Sequence, residues 1–154
     1  MAKNKIKTSD LVVGIDFGDT IFHRGVDGNK VENPRALEVV SYLVKNCRAV
    51  YIVSKVNDEQ KKRAIKWMYN VDFYRRTGLR RTDVKFCAER HEKGPIAKDL
   101  RINCFIDDRP EVMAWMPKDV IKILFNPIPD DVVAWKQENA HIVESWTEVE
   151  RLLL

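Results

Sequence analysis

Short apolar runs alternate along the chain with longer segments in which apolar residues recur every three or four positions. The run LVVGID, Leu11 to Asp16, is rich in β-branched residues and ends on a carboxylate, the pattern of a strand covered on both faces. NPRALEVVSYLVKN predicts a helix, with Asn33 at its cap, Pro34 in its first turn and Leu37, Val40, Leu43 and Val44 along one face. AVYIVS, Ala49 to Ser54, predicts a second strand. NDEQKKRAIKWMYN then restarts a helix, opened by Asn57 and Gln60 in capping-box spacing and turning Ile65, Met68 and Tyr69 inward. A weaker strand, DVKFCAE, follows a polar turn around Gly78. NCFIDD and VIKILF predict two more, separated by a helix through PEVMAWM, and the chain closes with HIVES and a terminal helix from about Thr147.

Strands alternating with helices imply an α/β, three-layer, doubly wound Rossmann-like fold: a mainly parallel sheet, helices on both faces, ligands at the carboxyl ends of the strands. The chain reads as a single domain over 1–154, with 1–10 as a basic N-terminal extension. No repeat, low-complexity stretch or long linker divides it. The polar residues that end the apolar runs are Asp16, Ser54 and the pair Asp107 and Asp108, so such a sheet would gather them on one edge.

Composition narrows the class. A chain of 154 residues, 45% hydrophobic and 32% charged, is large enough to bury a core without disulfides or metals to hold it together. Its net charge of +4 permits contact with polyanions, but both signs are interspersed and charge alone does not establish nucleic-acid binding. Cys47, Cys87 and Cys104 lack metal-ligand spacing and sit among apolar neighbours, which favours buried reduced thiols. No apolar run resembles a signal region or approaches the ~20 residues of a membrane helix, so a cytoplasmic protein without membrane contact is expected.

The chemistry rests on that carboxylate edge. Several carboxylates on one edge repel one another unless a cation sits among them, and hard oxygen donors suit Mg²⁺. Lys93 opens a short helix, GPIAKDL following it, whose Gly94 and Pro95 fit an N-terminus. Mg²⁺, a lysine ammonium and a serine hydroxyl make a pocket for a phosphoryl group, and an aspartate aimed at the phosphorus can act as nucleophile.

With Asp16 in GIDFGDT, Ser54 in YIVS, Lys93 in HEKGPIAKDL and Asp107–Asp108 in FIDDRPEV, the chain resembles the haloacid dehalogenase-like superfamily from about Leu11 to Val149. The resemblance implies a Mg²⁺-dependent phosphatase-type hydrolase that forms an aspartyl-phosphate on Asp16. It makes Asp16, the Gly18 carbonyl, Asp107 and Asp108 the metal site, with Ser54 and Lys93 holding the phosphate and Lys98 ranking second for the lysine role. Thr20 and Arg109 are expected beside the substrate, Arg109 also as an orienting partner of the acidic pair. The motif also resembles the phosphate loop of actin and Hsp70-type ATPases, but those need two large lobes.

One departure matters. The superfamily pattern places a second aspartate two positions after the nucleophile, as acid and base; here Gly18 stands there and the next carboxylate is Asp19. Two readings stay open: Asp19 reaches the leaving group from a shifted loop, or the site is a weakened or inactive module that binds phosphate, a protein or nucleic acid. His23 is the only histidine placed to substitute. Between the first motif and Ser54 there is room for a short turn and one helix, so no cap domain is expected. An open site of that kind suits a small or macromolecular phosphorylated substrate, or a lid supplied by an oligomer partner. FYRRTGLRR, with Arg75, Arg76, Arg80 and Arg81, is either a polyanion-binding segment or a solvated loop. Trp67, Trp115, Trp135 and Trp146 are expected to pack in the core.

Overall fold

The five predicted strands, joined by a sixth in the HIVES segment, form one sheet in the computed structural model, which describes residues 6–130 and 139–154. They are β1 (Val12–Ile15), β4 (Ala49–Lys55), β5 (Val84–Cys87), β6 (Cys104–Asp107), β7 (Ile121–Phe125) and β8 (Ala140–Val143), in the order β5-β4-β1-β6-β7-β8. Every pairing is parallel. β1 is central because its short apolar run is buried along its whole length and pairs on both sides, Ile15 with Ile52 and with Ile106.

The helices divide between the two faces. On one face lie α1 (Ala36–Asn46), α2 (Asp58–Asn70), α3 (Phe73–Thr77) and the terminal helix α6 (Trp146–Leu153), which bury Leu37, Val40, Leu43, Met68, Phe73 and Trp146 against Val13, Ile15, Ile52 and Ile106. On the other lie α4 (Lys93–Asp99) and α5 (Pro110–Met113), which bury Ala97, Val112 and Met113 against Val12, Val53 and Phe105. Successive strand residues alternate between these two cores, as the pleat requires. Gly14 permits the second to close: a Cβ there would come within 2.7 Å of the Phe105 ring and 2.8 Å of Ile102.

The sheet places the site through its connections. The chain leaves β1 toward β4 on one side, and β6 is reached from β5 by a crossover to the other side, so the strand order reverses between β1 and β6. Ligands of open parallel sheets bind at such a switch point.

Several local expectations are corrected. Asn57 and Gln60 form the capping box of α2, but its buried positions are Ala64 and Met68, with Trp67 and Val71 packed beside them; Ile65 and Tyr69 are exposed. The inner face follows the 64, 67, 68, 71 spacing of a helix stripe, which the apolar character of Ile65 and Tyr69 obscured. Asn33 does not cap α1. Its amide donates to the Thr20 carbonyl at 2.8 Å and its Oδ1 meets His23 Nδ1 at 2.6 Å, so the helix begins after Arg35, held at φ +64°.

The short turn expected after the first motif is instead an antiparallel hairpin, β2 (Phe22–Arg24) with β3 (Lys30–Glu32). Asp27–Gly28, with Gly28 at φ +79°, supplies its turn, a signal present in the sequence. The arginine-rich loop contains α3, closed by Gly78 in the left-handed conformation. Trp115 is largely exposed rather than in the core, and Trp135 lies outside the described residues. All three cysteines are free, and burial pushes the Cys47 thiol up to about 11.

Candidate active site

Each acidic residue sits where a strand stops. The Asp16 N–H donates to the Ile106 carbonyl at 2.9 Å, continuing the β1–β6 ladder by one step, so its carboxylate emerges at the switch point. Asp107, the last residue of β6, is fully buried. Lys93, the first residue of α4, is only 2% exposed and spans the two: its Nζ donates to Asp16 Oδ1 at 2.9 Å and to Asp107 Oδ2 at 2.8 Å. Gly94 lets α4 come this close, because a Cβ there would lie 2.6 Å from the Trp115 carbonyl. The second Asp107 oxygen accepts the Arg109 N–H at 3.0 Å.

The charge count in this pocket does not close with one lysine. Asp16, Asp107 and Asp108 present carboxylate oxygens all within 4.8 Å of one another. Burial, then the Asp16 charge, pushes Asp107 up to about 6 against the opposing pull of Lys93. Burial again, then Asp16 and Asp107 beside it, pushes Asp108 up to about 9. Burial disfavours the Lys93 ammonium, but the two carboxylates outweigh it and hold its pKa above the ordinary lysine range. Three hard oxygen donors carrying more negative charge than one ammonium can neutralise are a donor set that fits a divalent cation of the Mg²⁺ type. Asp16, Asp107 and Asp108 would hold it, with the Gly18 carbonyl nearby in the cavity wall.

Ser54, near the end of β4, is 4% exposed and lines the same cavity. Its hydroxyl has no hydrogen-bond partner among the described residues, while its carbonyl accepts the Cys87 thiol at 3.7 Å. A buried hydroxyl left without a partner in an otherwise satisfied site is a free donor for a ligand oxygen. Thr20 is placed differently from the expectation. It is fully buried, its hydroxyl donates to Asp16 Oδ2 at 3.4 Å, and it is not part of the cavity wall, so it holds Asp16 from behind.

The loop from Asp16 to Phe22 is held from below. The Thr20 carbonyl accepts both the Asn33 amide at 2.8 Å and the Trp146 indole N–H at 2.9 Å. Phe17 packs edge-on against Phe22, Trp67 and Phe73, with centroids 4.9, 5.5 and 6.0 Å apart. Each such pair contributes about 0.5–1.5 kcal/mol beyond area burial, so the loop backbone is fixed by its aromatic anchors. Trp146 and Asn33 thereby position the site, a role the sequence reading did not assign to either.

Above this floor is a cavity of about 220 Å³. Asp16, Gly18, Asp19, Ser54, Lys93, Asp108 and Arg109 all line it, so eight of the nine expected site residues converge here once buried Asp107 beneath is included. Asp19 is exposed at φ +60°, and the Arg109 guanidinium turns to Glu111 at 3.4 Å. His23 lies outside the cavity wall, beside Asn33. Lys98 is exposed on the far turn of α4, away from the cavity wall that Lys93 lines. Arg90, just before Lys93 in the chain, lines the mouth as well, and four further cations of the wall were not anticipated: Arg24 and Lys30 from the hairpin, Lys55 from the end of β4 and Arg63 from α2.

No family model matches the sequence, and no curated protein matches it significantly. Solved structures do. A candidate 3-deoxy-D-manno-octulosonate 8-phosphate phosphatase from Vibrio cholerae superposes with a TM-score of 0.55 at 14% identity, covering 95% of this chain and 84% of that one. A haloacid dehalogenase-like family hydrolase from Xanthomonas campestris superposes with a TM-score of 0.59 at 11% identity, covering 94% and 96% of the two chains. At such low identity the likeness speaks to architecture, and together with the parallel sheet and its switch point it shows that this chain has the fold of the haloacid dehalogenase-like hydrolases.

Proposed function

We propose that the protein is a phosphatase-type hydrolase that cleaves phosphomonoesters through an aspartyl-phosphate on Asp16 and depends on Mg²⁺. The observation that carries this reading is the buried Lys93, bridging Asp16 and Asp107 beneath a cavity into which Ser54 offers an unpartnered hydroxyl. Mg²⁺ bound by Asp16, Asp107 and Asp108 would supply charge neutralisation for the phosphoryl oxygens and offset the crowding of carboxylates.

The residues of the chain do the rest. Lys93 orients Asp16 through one carboxylate oxygen, with Thr20 on the other. The Asp16 carboxylate attacks phosphorus, a P–O bond forms to Asp16, and the P–O bond to the leaving group breaks. Ser54 and Lys93 donate to the equatorial oxygens, where charge develops. The departing alkoxide takes a proton. Water then attacks the phosphorus of the acyl phosphate, releasing inorganic phosphate and restoring the Asp16 carboxylate. Asp19, exposed in the cavity wall, is the carboxylate available for the proton steps, since position 18 is glycine.

A second reading has one observation in its favour. Asp19 is solvated, and nothing holds its side chain toward Asp16 among the described residues, so a module that binds phosphate or a partner without efficient turnover also fits. The deciding experiment measures Mg²⁺-dependent release from an activated aryl phosphate and a panel of alkyl phosphomonoesters, comparing the parent with Asp16→Asn. Asp16-dependent turnover of both kinds supports a working phosphatase with its proton donor relocated. Turnover of the aryl ester alone indicates a nucleophile without its acid, and no turnover of either favours the binding module.

A further inference from the structure

The cations of this protein fall into two groups. In the arginine-rich segment around α3, Arg75 pairs with Asp72, Arg76 with Glu32 at 2.8 Å, and Arg80 with Asp83 at 3.3 Å. Three of the four arginines there already have a carboxylate partner, Arg81 being the exception among the described residues. Around the cavity the situation is reversed: Arg24, Lys30, Lys55, Arg63 and Arg90 all line it, and none forms an ion pair among the described residues.

Three of them cooperate at one side of the mouth. Arg24 and Lys30 are paired residues of the hairpin, and Arg63 faces them from α2. Arg24 is steadied by the Gly28 carbonyl at 3.3 Å, and Lys30 lies over the Phe22 ring at 5.3 Å. Partial burial, followed by the charges of Arg24 and Arg63, lowers the Lys30 pKa from its ordinary value. Like charges held together on rigid elements, without a counter-charge, destabilise the free protein and gain most when an anion enters between them. Ser54 and Lys93 already serve one phosphoryl group on the cavity floor, so these three cations are surplus to a simple monoester.

We propose that Arg24, Lys30 and Arg63 form a second anion site, and that the substrate is a small phosphomonoester carrying a further phosphoryl group, a bisphosphate that spans the cavity from floor to hairpin. The volume of about 220 Å³ suits a small molecule, and the carboxylate partners of Arg75, Arg76 and Arg80 reduce the basic surface that would have extended the track for a polymer. The inference rests on the phosphatase reading for the first phosphoryl group only.

Calorimetry with compounds that cannot turn over tests it apart from that reading. In Mg²⁺ buffer, an alkane bisphosphonate with its groups at the ends of a three-carbon chain should bind about 30-fold tighter than the matching monophosphonate. The triple variant Arg24→Gln, Lys30→Gln, Arg63→Gln should bring the two affinities within about threefold. Arg24→Gln and Arg63→Gln alone, both at exposed positions that do not threaten folding, should each remove part of the preference. Equal affinity of the two compounds for the parent, or no binding of either, overturns the second site even if Asp16-dependent ester turnover is found. A cation-dependent preference without turnover keeps the site and removes the phosphatase. Tighter binding of an oligonucleotide with a terminal phosphate, lost when Lys62 and Lys66, exposed on α2, are changed by Lys62→Gln and Lys66→Gln, overturns the small-molecule assignment in favour of nucleic acid.

Discussion

Lys93 and Arg24 are cations of the same cavity in opposite circumstances. The first is 2% exposed and touches two carboxylates at 2.9 and 2.8 Å, while the second is exposed and, among the described residues, hydrogen-bonds only a backbone carbonyl. The floor of the site is an over-acidic, buried cluster fixed by strand ends and aromatic packing; the rim is an over-basic, solvated ring carried by a hairpin and a helix. The floor has the properties needed for chemistry, because its groups are preorganised and desolvated. The rim has the properties needed for choosing a substrate, because its charges are unsatisfied until something arrives.

Four changes sharpen or break that contrast, beginning with the most severe. Asp16→Asn removes the proposed nucleophile and should lower ester turnover by about 10⁴-fold or more, with the circular dichroism spectrum unchanged. Equal activity of variant and parent would sink the mechanism. Lys93→Met should cost about 3 kcal/mol of stability in urea melts, because it strands buried carboxylates, and Mg²⁺ should restore part of it. A loss as small as that of an exposed ion pair, under about 1 kcal/mol, would mean that the floor is not the electrostatic keystone described above.

The pH dependence of the metal-free protein follows from the same carboxylates. Asp107 and Asp108 are raised to about 6 and about 9 in the fold, above the ordinary value of 3.8, so the folded protein holds protons that the unfolded chain has released. A raised folded pKa contributes stability that is lost as pH climbs, here from about 4 through 6 and on through 9. The thermal midpoint without metal should therefore fall between pH 5 and pH 9, an interval chosen to bracket both groups. Saturating Mg²⁺ should flatten the slope by taking the place of the protons. A midpoint that rises over that interval would contradict the assignment.

The mildest change addresses the loop between floor and rim. A Cβ at Gly18 meets nothing closer than the Phe22 ring at 3.8 Å, so Gly18→Asp can be accommodated without moving the loop. It should speed hydrolysis of alkyl esters about 10–10²-fold, with little effect on an aryl ester whose leaving group needs no proton. Asp19→Asn should lower alkyl-ester turnover only if Asp19 has the acid role. Loss of activity in neither variant, together with no gain in the first, would leave the proton to solvent.

Much of the floor was legible because it depends on local rules. Apolar runs ending in Asp16, Ser54 and Asp107 mark strand ends, and a parallel sheet gathers strand ends on one edge. The Asn57–Gln60 capping box was legible for the same reason, since both partners lie within one helical turn. Asn33 resisted because its side chain is captured by Thr20 and His23, residues 13 and 10 positions away, which leaves Arg35 to start α1. Ile65 and Tyr69 resisted because their apolar character says nothing about which way α2 is turned once Ala64, Trp67 and Met68 find Phe17 and its neighbours. The hairpin was written in Asp27–Gly28 and its alternating flanks and was passed over.

By itself, then, the sequence determined the order of strands and helices, the polar residue that closes each central strand and the glycine that replaces the expected acid, because periodicity and motif spacing act within a few residues. The tertiary structure alone decided that Lys93 joins Asp16 across 77 positions and Asp107 across 14, that Thr20 turns its hydroxyl to Asp16, and that the cations of the hairpin and α2 meet without an ion-pair partner among the described residues. Those are facts about which distant groups packing brings within a few ångströms, and electrostatic coupling depends on that distance and on the burial that comes with it.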